Sequence, residues 1–214
     1  MTLKAMSKSA EEGKIWEWRA FGKLSEALVS RVRAHPVRMG LVNIQGEDLY
    51  LISPDTDQNI KLRRNLGGWV LKFKLLFESR TAPFELYSES AEFTYTFPVP
   101  LERLKEAATL LATTLPTAIP GRTESLDVEA FVNALANASP AIVETSVSKV
   151  RSQFAFENGW YELADVEFEH RRIQSVSVQS RELEVVKEAS QQIEAGETIE
   201  VMNYVEACRR WGKQ

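Results

Sequence analysis

Residues 58–78 read QNIKLRRNLGGWVLKFKLLFE. In the first half Lys61 and Arg63 alternate with Ile60 and Leu62. Gly67-Gly68 then breaks the chain, and Lys72 and Lys74 alternate with Leu71, Phe73, Leu75 and Phe77. A side-chain period of two is the mark of a β-strand, because successive Cβ atoms point to opposite faces. Two strands therefore each put paired cations on one face and bulky apolar groups on the other.

The same division recurs along the chain. Glu17 and Arg19 oppose Trp16, Trp18 and Ala20; Lys149 and Arg151 oppose Val150. In the run 160–169, Asp165, Glu167 and Glu169 oppose Ala164, Val166 and Phe168. In an open antiparallel sheet such charged faces are simply solvated. In a closed sheet they line an interior, which concentrates positive potential and attracts an anion. There Asp165, Glu167 and Glu169 supply hard oxygen ligands for a divalent cation. The apolar faces need cover, and helical periodicity supplies about five segments for it.

Working outward, strands are expected near 15–21, 49–52, 58–64, 69–78, 84–88, 92–97, 141–156, 160–169 and 173–180. Asn158-Gly159 is the strongest hairpin signal in the chain. Helices are expected at 23–34, stopped by His35-Pro36, at 101–115 and at 127–136, with Ser125 as N-cap. Two more are expected at 181–194 and 199–211, with Gly196 between them. Residues 1–13 read as a frayed terminus. The expected fold class is α+β: one domain over 1–214, with a helical insert near 101–137 and C-terminal helices over 181–212.

Composition narrows the function classes. The chain has 214 residues, 44% hydrophobic and 26% charged, with a net charge of −4. That excludes bulk disorder and binding of long nucleic acid through overall positive charge. The single cysteine, Cys208, forms no internal disulfide and no Cys-built zinc site. His35 and His170, the two histidines, give little for His-based catalysis. No stretch approaches the roughly 18 apolar residues of a membrane span, and no secretory signal is evident, so a cytoplasmic setting is expected. Phosphate-binding loops of the GxxxxGK[ST] type and dinucleotide GxGxxG turns are absent from the sequence.

The order of the motifs resembles the CYTH superfamily, the triphosphate tunnel metalloenzymes. Ile15-Trp16-Glu17-Trp18-Arg19 looks like a worn version of the N-terminal E-x-E-x-K signature. Asp48-Leu49-Tyr50-Leu51 is similar to the family's D-x-Y-aromatic segment, and Ile60-Lys61-Leu62-Arg63 to its L-R-x-R strand. Val147-Ser148-Lys149-Val150-Arg151 resembles the later K-x-R strand. The run Tyr161 to Glu169 is similar to the closing E-x-E strand.

This resemblance implies a closed eight-stranded antiparallel barrel, a tunnel with helices around it. By the same resemblance Arg19, Lys61, Arg63, Lys149 and Arg151 grip phosphate, and Glu17, Glu167 and Glu169 hold Mg²⁺ or Mn²⁺. Lys72 and Lys74 join the phosphate set by face parity alone. The implied activity is metal-dependent hydrolysis of a triphosphate or polyphosphate, with adenylate cyclisation as a rarer family outcome. One departure bears on this: the signature's first glutamate falls on Ile15, which removes a carboxylate. The alternative is a non-catalytic binder of phosphorylated ligands on the same fold, and a third reading is an interaction protein with a solvated sheet.

Overall fold

The computed structural model describes residues 13–81, 83–88, 93–116 and 124–212. Expectations that touch residues 1–12, Glu92 and the part of the helical insert at 117–123 lie outside these. Twelve strands are described: β1 (Lys14–Gly22), β2 (Ile44–Ile52), β3 (Asn59–Asn65), β4 (Gly68–Thr81), β5 (Phe84–Ser88), β6 (Thr94–Thr96), β7 (Val99–Pro100), β8 (Ser125–Leu126), β9 (Val143–Phe156), β10 (Gly159–Phe168), β11 (Arg171–Ser180) and β12 (Ile199–Val201). Eight of them form a closed antiparallel ring in the order β1, β5, β4, β3, β2, β9, β10, β11, with β11 pairing back to β1. The cationic faces of β1, β3, β4 and β9 are thus turned onto an interior, as the closed-sheet reading requires.

Helices cover the apolar outer faces. Ile60, Leu62, Leu71, Phe73 and Leu75 pack against Leu101–Leu110 and Val128–Ala138 through Leu104, Ala107, Phe131 and Leu135. Trp18, Ala20, Tyr161, Leu163, Val176 and Val178 pack against Glu26–Arg33 and Leu183–Glu194 through Leu28, Val32, Val186 and Ile193. Each such fully buried side chain contributes about 1.5–3 kcal/mol relative to exposure. Among the described residues no helix is long and apolar enough to cross a membrane.

Local chemistry sets the boundaries. Asn158 takes a left-handed φ of 61° beside Gly159, which closes the β9–β10 hairpin as expected. The helix expected over 101–115 ends at Leu110, because Ala112 turns left-handed at φ 54°. Asp127, not Ser125, caps the next helix by accepting a bond from the Ala130 amide at 2.8 Å; Ser125 belongs to β8.

The expected helix over 199–211 divides in two. Ile199–Val201 extends as a strand against β1, with Ala20 opposite Val201, and Asn203 then caps the helix Tyr204–Trp211. This last helix does not wrap the outside. Tyr204, Val205, Ala207 and Cys208 pack with Phe21, Tyr50, Ile52, Val147, Ala164, Val166 and Phe168, which are interior side chains of the barrel. The helix therefore plugs one end of the tunnel. Arg209 anchors it by donating to the Ser53 and Thr56 carbonyls and pairing with Asp57.

Candidate functional site

The register of the ring decides which side chains face the tunnel. Asp48 lies opposite Arg63, Lys61 opposite Lys72, and Asn59 opposite Lys74. Glu17 lies opposite Glu85 and Gln179, and Arg19 opposite Ser177. Glu162 lies opposite Gln153 and Ser177, and Ala164 opposite Arg151. Directly opposed residues share a face, so the interior holds the cations Arg19, Lys61, Arg63, Lys72, Lys74, Lys149 and Arg151. Its carboxylates are Glu17, Asp48, Glu85 and Glu162. Among the described residues, seven cations and four carboxylates thus share the interior face of the ring.

Asp48 is the hub of one cluster. Its side chain is 0% exposed, with Arg63 at 2.7 Å, Lys149 at 2.6 Å and Lys61 at 3.6 Å. Burial alone would raise its pKa, but Lys149, Lys61 and Arg63 outweigh that and hold the carboxyl well below the ordinary range. Arg19 is the hub of a second cluster. It pairs with Glu17 at 2.8 Å and Glu162 at 3.1 Å, and donates to the Ser175 and Ser177 hydroxyls. Burial likewise works against ionised Glu162, but Arg19, Arg151 and Lys149 depress its pKa strongly. Burial pulls the Lys149 ammonium down despite Asp48. Glu85 is raised by burial, although the Tyr87 hydroxyl and the Asn203 amide both donate to it.

The plug helix closes over both clusters. The Tyr204 ring sits 4.6 Å from the Arg19 guanidinium and 4.6 Å from the Lys149 ammonium, and it stacks on Tyr50. Side-chain exposure rises away from the plug, from 4% at Lys149 to 26% at Arg151 along β9, and from 9% at Lys61 to 17% at Arg63 along β3. Beyond them Arg38 donates to Gln153 at 2.7 Å and lies 4.1 Å from the Trp160 ring. Water, and any ligand, meets the tunnel's cations from this end.

Three acidic residues named from the sequence, Asp165, Glu167 and Glu169, lie elsewhere. The expectation that Glu167 and Glu169 point inward is not met. Glu167 lies on the outer face of β10, opposite Ser148 and Arg172, and pairs with the exposed Arg172 at 3.1 Å. It borders an outer cavity of about 970 Å³ that also touches Lys23, Asp165, Gln174 and Glu200. Glu169 sits in the β10–β11 turn at φ 46°, where its side chain accepts from the Ser146 amide. Asp165 is exposed on the outer face with Glu167. Of the carboxylates that do face the interior, Glu17 was assigned a role from the sequence, whereas Asp48, Glu85 and Glu162 were not.

The cause is a phase change along β10. Tyr161 and Leu163 face outward, where helices cover them, and Glu162 faces inward. Toward the plugged end the inward side chains turn apolar (Ala164, Val166, Phe168), and the uncovered outer face carries Asp165 and Glu167. Polar residues move from even to odd positions within one strand. The Tyr161-Glu162-Leu163 triplet was the available signal.

This placement carries a prediction. Glu167→Gln is expected to change stability by no more than about 0.5 kcal/mol, as surface substitutions do, and to leave phosphate-ligand binding unaltered. Chemical denaturation together with calorimetric titration of tripolyphosphate checks both, and a lost ligand affinity would restore Glu167 to the site.

The Mg²⁺ or Mn²⁺ implied by the resemblance was tested against the donors present. Among the described residues no group of three or more His, Cys, Asp or Glu side chains converges. Glu17, Asp48 and Glu162 each share their oxygens with Arg or Lys. One same-face step from Glu17 stands Ile15, and one such step from Glu162 stands Ala164. A cation-rich wall with its carboxylates already neutralised does not fit a resident divalent ion.

Fold and interior together define a closed antiparallel barrel with a buried, cation-rich tunnel plugged at one end. No protein-family model and no curated protein matches the chain. Solved structures share its fold, among them the following two. One is a candidate adenylate cyclase from Bacillus halodurans, with a TM-score of 0.50 and 12% identity over 91% of this chain and 98% of that one. The other is HpAC1 from Hippeastrum, a candidate adenylyl cyclase whose dominant activity is described as a triphosphatase, with a TM-score of 0.50 and 12% identity over 94% and 97% of the two chains. At this identity the likeness is one of fold.

Proposed function

We propose that the barrel binds a phosphorylated anion, a triphosphate-bearing small molecule or a polyphosphate, in its Lys/Arg-lined tunnel, and does so as a binder without hydrolysing it. The observation that carries this reading is the convergence of Arg and Lys side chains from four strands on walls largely out of water. Among the described residues seven cations and four carboxylates share that interior, and low-dielectric walls focus the field of such cations on an incoming anion. The partly exposed Arg63 and Arg151 give planar, forked donors suited to phosphate oxygens, with Lys72 and Lys74 on the neighbouring wall. The fold shared with a protein of described triphosphatase activity agrees with the ligand class. Among the described residues the interior carboxylates Glu17, Asp48 and Glu162 are shared with Arg and Lys, which favours binding over metal-assisted attack.

Thermal unfolding with added tripolyphosphate or nucleoside triphosphates tests it. Ligand at about 100 times its dissociation constant stabilises by about 2.7 kcal/mol, a rise of about 5–10 °C for a chain of this size. An unchanged melting temperature removes the anion-binding reading. Release of inorganic phosphate in Mg²⁺ or Mn²⁺ removes the non-catalytic part and reinstates a metal-dependent hydrolase.

A further inference from the structure

We infer that the Arg19 guanidinium is a built-in replacement for a divalent cation, bridging the two acidic walls Glu17 and Glu162 so that the tunnel operates with no resident metal. The inference deepens the anion-binding reading and rests on the same polar tunnel, but its measurements need no anion.

The atoms divide the work. Glu17 gives Oε1 to Arg19 Nε at 2.8 Å and Oε2 to Lys74 at 2.5 Å. Glu162 gives Oε1 to Arg19 Nη2 at 3.1 Å and Oε2 to Arg151 at 3.1 Å and Gln153 at 2.9 Å. The Ser175 and Ser177 hydroxyls complete the ring around the guanidinium at 2.8 and 3.1 Å. Two carboxylate and two hydroxyl oxygens thus converge on one cation. That is the hard-oxygen donor set Mg²⁺ or Mn²⁺ takes, and here it is filled by a side chain that stays charged at all relevant pH and cannot dissociate.

The surroundings fit a permanent occupant. Arg19 is 5% exposed, and Tyr204 of the plug helix covers it from the closed end. A bound metal would gather further free acids beside Glu17 and Glu162, yet Glu85, opposite Glu17, is engaged by the Tyr87 hydroxyl and the Asn203 amide, and the next same-face positions along the strands hold Ile15 and Ala164. A guanidinium needs only the oxygens already present.

Removing the guanidinium should uncover the donors. Manganese(II) is expected to leave the melting temperature of the wild-type protein unchanged, and to raise that of Arg19→Ala by about 5 °C at saturating excess. Arg19→Lys, which keeps the charge, should behave as the wild type. Equal stabilisation of wild type and Arg19→Ala by manganese overturns the inference, as does a folded Arg19→Ala that takes up none.

Should Arg19→Ala not fold, titrating the free manganese paramagnetic resonance signal with wild-type protein decides. An undiminished signal supports the built-in cation, and an attenuated one overturns it. Because no phosphate compound enters these experiments, failure of anion binding leaves their result readable.

Discussion

Asp48→Asn is expected to lower stability by about 3–5 kcal/mol, the range for stranding buried charge by removing one partner. The loss is large because one carboxylate, 0% exposed, serves three cations: Lys61, Arg63 and Lys149. An asparagine of the same shape keeps the packing and removes only the charge, so the change reads electrostatics alone. Lys149 gives the effect a pH signature. Burial already lowers its pKa in the folded protein, and without Asp48 the ammonium is held still less well. A group with a depressed folded pKa of this kind weakens the fold while charged, so the deficit should narrow as pH rises toward the ordinary lysine pKa of about 10.4. Tripolyphosphate should stabilise the variant more than the wild type, because it meets three cations released from their internal counter-ion. Urea denaturation across pH, with and without tripolyphosphate, measures both effects. A midpoint equal to the wild type's would show that the three cations do not depend on Asp48.

Arg19→Met should cost a similar amount, about 3–5 kcal/mol. Glu17 keeps Lys74, and Glu162 keeps Arg151 and Gln153, but each loses the bridge between them. Ser175 and Ser177 lose a donor, and Tyr204 loses one of its two cations and keeps Lys149. The pH dependence should flatten as well. In the wild type the Glu162 and Asp48 carboxyls are depressed in the folded state, after desolvation is offset by their cations. That stability is fully present above the unfolded values, about 4 for Asp and Glu, and drains as pH falls through the lower folded values. With Arg19 gone the folded pKa of Glu162 rises, so acid costs the variant less than it costs the wild type. The difference between wild type and variant should therefore be smaller at about pH 3, below the unfolded carboxylate values, than at neutral pH. A deficit that widens in acid would mean that Arg19 acts on packing and not on the carboxylates.

Much of the scaffold was legible because strand alternation is a local property. The strands at 58–64 and 69–78, the Asn158-Gly159 hairpin and the pairing of Lys61 with Arg63 and of Lys72 with Lys74 on single faces all follow from side-chain period and turn chemistry. So did the cationic side of the site, since Arg19, Lys149 and Arg151 alternate cleanly with apolar neighbours. The acidic side was not legible on the same terms. Along β10 the inward face is polar in the middle of the barrel and apolar where Tyr204–Trp211 fills the end, so the residues that look most acidic, Asp165 and Glu167, are the ones left in water. Asp48 stood in plain view, but its partners come from β3 and β9, and only the closed register brings them to it.

By itself, then, the sequence determined which residues share a face, where the chain turns, and that charge and bulk lie on opposite sides of several strands. The tertiary structure alone decided which side is enclosed, which carboxylates are enclosed with it, and that the last helix enters the barrel instead of covering it. The reason is physical: a period of two is set by bonds between neighbouring residues, whereas inside and outside are set by what distant segments pack against.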